Sequence, residues 1–109
     1  NKDVLVRFTR ALFKAMDYAA TEHQEETAEL VAAQVAQDKD TVYQQRGDAE
    51  WLTGKEVSEG AADGTVEGYY ELQKKNLIDS GAVVFEEGQT EPAVADYVLL
   101  DVMVEAGQY

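Results

Sequence analysis

The sequence predicts an all-α protein built from about six short-to-medium helices. Three observations carry that prediction. Apolar residues recur at three-to-four spacing along most of the chain. The ends of those periodic stretches hold capping residues and glycines. Only one short stretch, Ala82-Val83-Val84-Phe85, has an extended character, and one such run makes no sheet.

The first helix is predicted over residues 3–20. Val4, Leu5, Phe8, Leu12, Ala15, Met16 and Ala19 form its apolar stripe, with Asp3 placed to cap the N-terminus. Val6 and Phe13 lie off that stripe and imply contacts on more than one side. A second helix is expected from Gln24 to Val35. Glu25, Glu26 and Glu29 fall near its start, where the helix dipole favours anions. Ala28, Val31, Ala32 and Val35 give it a small-residue stripe. A third starts at Asp38 or Asp40 and ends at Arg46-Gly47, with Val42 and Tyr43 as its buried contacts and Gly47 as a left-handed C-cap.

The fourth helix begins at Thr53, because Thr53-Gly54-Lys55-Glu56 matches a capping box, and stops before Asp63-Gly64. The fifth spans residues 65–78, with Val66, Tyr69, Tyr70, Leu77 and Ile78 on its apolar side and Ser80-Gly81 at its end. Gly68 inside it predicts a close packing contact. The last helix is expected to start at Pro92, the only proline, whose missing N–H costs nothing in a first turn. Ala95, Val98, Leu99, Val102, Met103 and Ala106 form its stripe, and Gly107 ends it.

Composition narrows the function. The 109 residues suit a single domain, 1–109, and 45% of them are hydrophobic, which argues against disorder. The chain has no cysteine, so disulfides, thiolate metal sites and cysteine nucleophiles are excluded. The formal charge is −13, unevenly spread. Residues 1–20 hold four cations against two acids, leaving +2, while the remainder holds five cations against twenty acids, leaving −15. A field of that sign repels phosphate backbones, so nucleic acid is not an expected partner. The basic first helix is suited to dock on an acidic neighbour. The opening Asn1-Lys2-Asp3 has no signal-peptide pattern and no initiator Met, as in a processed or a trimmed chain.

No motif marks a catalytic centre, a metal site or a cofactor. His23 is the only histidine and lacks partners for zinc or for general-base work. It reads as a solvated helix junction. Asp38-Lys39-Asp40 lacks the glycine and terminal glutamate of a calcium loop and reads as helix capping. Gly60, Gly64 and Gly68 have no Lys-Ser/Thr pair and form no phosphate loop. Arg46-Gly47-Asp48 spells an adhesion tripeptide, but a helix end and turn explain the same letters. Trp51 is the single tryptophan and reads as a core or interface anchor.

Three stretches together resemble a known family. Val6 through Ala15, followed by Tyr18-Ala19 and Glu25-Glu26-Thr27-Ala28-Glu29-Leu30-Val31-Ala32, resembles a helix and then a Glu-rich helix start. That pair occurs in ABC-transporter solute-binding proteins of the nitrate/sulfonate/taurine and NMT1/THI5-like type. Tyr69 through Ile78 resembles that family's next helix, and Tyr97-Val98-Leu99-Leu100 its closing one. His23-Gln24 stands where the family usually has Asn-Pro. The resemblance covers nearly the whole chain and matches the C-terminal third of such proteins.

It implies an extracytoplasmic solute-binding component of an importer for a small anionic or heteroaromatic solute, with an ABC permease and the remaining α/β lobes of the same protein as partners. Arg46 and Trp51 are candidate ligand residues, as an anion partner and an aromatic wall. This reading expects an apolar surface left bare where the lobes pack, with Val6, Phe13 and Ala82–Phe85 as its candidates. The alternative is a stand-alone acidic helical interaction module with a complete core. A small enzyme ranks last.

Overall fold

The computed structural model describes residues 1–109 and is all-helical, with no strand. The helices are α1 (Lys2–Ala20), α2 (Gln24–Val35), α3 (Lys39–Gln44), α4 (Gly54–Asp63), α5 (Thr65–Asp79) and α6 (Leu100–Ala106). Single 3-10 turns follow α3 at Gln45–Gly47 and precede α6 at Val94–Asp96.

Most helix ends follow from local chemistry. The Thr53 side chain accepts from the Glu56 N–H at 3.1 Å, and the Glu56 carboxylate accepts from the Thr53 N–H at 2.7 Å. This reciprocal box satisfies two N–H groups that the first turn leaves unpaired. Asp38 caps α3 by accepting from the Thr41 N–H at 3.1 Å. Gly64, at φ 92°, joins α4 to α5 without a linker, a conformation that costs a glycine little.

Several expectations are corrected. Asn1, not Asp3, caps α1, and Asp3 supplies the N–H that Asn1 accepts. Gly47 is not left-handed, because the chain tightens into a 3-10 turn there. Gly68 meets nothing within 4 Å of a Cβ built on it, so no close contact explains it. Pro92 does not open the last helix. Ala93 to Leu99 form a 3-10 turn and an irregular step, and α6 starts only at Leu100.

The core sits between α1, α4 and α6. Val6, Phe13, Val102 and Ala106 are buried together, with Met16, Val57 and Met103 packed against them. Close approach is possible because the facing residues are small. A Cβ on Gly54 would lie 2.4 Å from Phe13 Cβ and 2.5 Å from the Phe13 backbone, and one on Gly107 would lie 1.9 Å from Ser58 Oγ. Ser58 Oγ donates to the Val104 carbonyl at 3.2 Å, tying α4 to α6. Arg10 donates to the carbonyls of Ala106 and Glu105 at 3.2 and 3.0 Å. It thereby satisfies the C-terminal end of α6, where a cation also suits the helix dipole.

Away from this core the chain spreads out. α2 packs chiefly on α3, and its Ala28 and Ala32 are buried. α5 extends from α4 and receives the 82–99 segment, whose Val94 is fully buried. Lys74 clamps that segment by donating to the Pro92 carbonyl at 2.9 Å while pairing with Glu71 at 3.0 Å and Glu91 at 3.3 Å. Tyr70 and Tyr97 meet edge to face at 6.3 Å. The radius of gyration is 17.1 Å, against about 13 Å for a compact domain of this length.

Candidate functional site

α1 is apolar on two faces, and the richer face looks outward. Val6 and Phe13, which lie off the main stripe, are each 4% exposed. On the main stripe Val4, Leu5, Phe8 and Leu12 are 51%, 44%, 72% and 51% exposed. Met16, at the edge of the stripe, reaches the core. The expectation that Val6 and Phe13 would line a bare surface is therefore reversed, because the small residues of α4 and α6 admit the Phe13 side. Val84, in the stretch also expected to be bare, is 75% exposed, while Phe85 is half-buried.

The rim of the outward face carries Arg7 and Lys14. Arg7 pairs with Asp3 at 3.0 Å, one turn back. Lys14 lies over the Tyr109 ring, 5.4 Å from its centroid, rather than against a carboxylate. Asp17 binds two groups, the Lys55 N–H at 3.3 Å and the Tyr109 hydroxyl. Burial and the bond to Asp17 push the Tyr109 pKa up to about 12.

The sequence-predicted pair Arg46 and Trp51 is brought together. Trp51 Nε1 donates to the Arg46 carbonyl at 2.8 Å. The Arg46 guanidinium lies 3.8 Å from the Tyr43 ring centroid and donates to the Tyr43 carbonyl at 2.8 Å. The turn holds a cation over one aromatic ring, with N–H donors to spare for an anion. Trp51 is 65% exposed, so the arrangement is a surface knuckle rather than the wall of a cleft.

The cavities offer no alternative centre. One of about 510 Å³ is lined by Tyr69, Leu72, Gln73, Asn76, Leu77 and Ser80. All six come from α5 or its C-cap, so this is an open helix face. A smaller one, about 160 Å³, lies between α5 and the 83–97 segment. Its one cation, Lys74, is already held by two carboxylates. His23 is not simply solvated. Its ring stacks on Tyr18 at 3.8 Å, and both side chains reach Glu26. No three His, Asp or Glu side chains converge as a metal-ligand set. No helix is long and apolar enough to cross a membrane.

The bare face of α1 was partly legible. Its two apolar sides are visible from spacing, but spacing cannot say which side packs. The exposed α5 face had no separate signal, because its residues read as one stripe with the buried Val66.

Compared with protein-family models, curated proteins and solved structures, the chain matches none.

Proposed function

We propose that this chain is the C-terminal helical region of an extracytoplasmic solute-binding component of an ABC importer, one that takes a small anionic or heteroaromatic solute. The observation that carries the reading is the bare apolar face of α1 in an elongated chain. A face of this kind needs a large apolar partner, and the α/β lobes implied by the resemblance are such a partner. Two lobes closing on a solute by hinge motion then do the binding, with this helical region packed on one of them. Arg46 is the candidate partner for an anionic group and Trp51 a candidate aromatic contact, both offered from the surface knuckle.

The test is calorimetric titration of the complete protein with nitrate, alkanesulfonates and thiamine-precursor pyrimidines. Saturable binding of one class, at about micromolar dissociation constant or tighter, is the expected result. Absence of binding across all three classes refutes the reading. Weaker binding in Arg46→Ala and Trp51→Ala then assigns those residues.

A second reading, the stand-alone acidic interaction module, is favoured by one observation. The α1/α4/α6 core closes on itself with its own caps and ties. It predicts that residues 1–109 unfold in one cooperative transition and engage a separate protein.

A further inference from the structure

We infer that the hollow between α5 and the 83–97 segment is a binding site for a small neutral ring, a molecule of the size and polarity of benzene or phenol. The hollow shares no residue with the Arg46–Trp51 knuckle, and the inference does not depend on the importer reading.

The walls come from two elements of different period. On α5, Lys74, Leu77 and Ile78 fall on one side of the helix, three and four residues apart. Opposite them lies the one extended run of the chain. Val83 and Phe85 line the hollow, while Val84 between them is 75% exposed. That alternation is the two-residue period of extended backbone, here laid against a helix instead of a strand. Ties at both ends hold the run in place. The Val83 N–H donates to the Leu77 carbonyl at 3.1 Å, and Lys74 donates to the Pro92 carbonyl at 2.9 Å. Val94, two residues beyond, is fully buried and anchors the segment. These ties oppose collapse of the run onto α5, so the space between them persists.

Size, polarity and charge each select the ligand. The hollow measures about 160 Å³, close to the roughly 150 Å³ of an engineered apolar cavity that takes up benzene. Its lining is mostly apolar, and Gln73 and Tyr97 add an amide and a hydroxyl that suit a single polar substituent. Charge is the sharpest filter. Lys74, the one cation of the lining, spends its N–H donors on the Pro92 carbonyl, Glu71 and Glu91. It therefore offers nothing to an anion, which the −13 of the chain also repels. No carboxylate is part of the lining, so a cation finds no partner there either. A neutral ring meets no unpaired charge, and its apolar surface leaves water.

Ile78 is the only isoleucine of the chain. Labelling its δ1 methyl with carbon-13 gives one nuclear magnetic resonance signal, and it comes from this hollow. Phenol is to be titrated into the labelled 109-residue chain. The signal is expected to move along a saturating curve with a dissociation constant of about 1 mM. Benzoate, the same ring with a negative charge, is expected to bind about tenfold or more weakly, because its charge must leave water unpaired. Val83→Phe, which fills the hollow, is expected to weaken phenol binding about tenfold or more. Val84→Phe, one residue on and facing solvent, is expected to leave it unchanged.

A phenol shift that stays linear up to about ten times the expected dissociation constant overturns the proposal. So does benzoate binding as tightly as phenol, or equal weakening by Val83→Phe and Val84→Phe. The titrations of the unmodified sequence decide without either variant, so a variant that does not fold leaves the test intact.

Discussion

The inner and outer faces of α1 use similar residues and meet opposite fates. Phe13 is 4% exposed and Phe8 is 72% exposed, although the outer stripe has more apolar residues. Hydrophobicity alone does not choose the buried side. The inner side wins because Gly54, Ser58, Ala106 and Gly107 are small enough to let α4 and α6 close around Phe13. Steric fit at the facing helices outweighs the count of apolar groups, since dispersion and water exclusion both need contact.

The substitution expected to separate the faces most is Phe13→Ala, which removes the largest side chain of the core. It should lower unfolding stability by about 3–5 kcal/mol, read from the urea midpoint of the 109-residue chain. Next comes Gly54→Ala. The new methyl would press into Phe13, including its backbone, so a loss of about 1–3 kcal/mol is expected. Thermal melts in which Gly54→Ala behaves as wild type would contradict the tight α1–α4 approach.

Arg10→Ala should cost less, about 1 kcal/mol, because its bonds to the last carbonyls of α6 are only partly shielded. Faster amide exchange confined to α6 would confirm the cause.

The Tyr109 tie should be lost only at high pH. Its pKa is raised to about 12, so its contribution is fully present below the ordinary tyrosine value of 10.0 and is lost as pH rises through about 12. Ultraviolet difference titration should show one late-ionising tyrosine that Tyr109→Phe removes. Lys2 and Asp101 work at the other end of the scale. Pairing with Lys2 holds the Asp101 carboxyl below its ordinary range, so that stabilisation is present above pH 3.8 and is lost on further acidification. Phe8→Ala stands last, within about 0.5 kcal/mol of wild type in the 109-residue chain, with a large loss expected only where its face is covered.

Of the candidate site, the sequence revealed the residue types but not their arrangement. Arg46 and Trp51 were found as isolated letters. Their meeting depends on the 3-10 turn after α3, which no periodicity announces. The stack of His23 on Tyr18 was missed for a similar reason, because it needs the particular angle at which the chain leaves α1.

What the sequence determined by itself is local. Thr53 with Glu56, Asp38 and Gly64 set helix boundaries because caps and left-handed turns act within a few residues, whatever surrounds them. The all-helical class follows from the 3.6-residue period and the lack of strand runs. What only the tertiary structure decided is which apolar side of α1 is packed, where Pro92 sits and when the last helix starts. Those outcomes rest on contacts between groups well separated along the chain, such as Gly54 against Phe13, Ser58 against Gly107 and Lys74 against the Pro92 carbonyl. Their energies depend on mutual fit in three dimensions, and spacing along the chain carries no record of it.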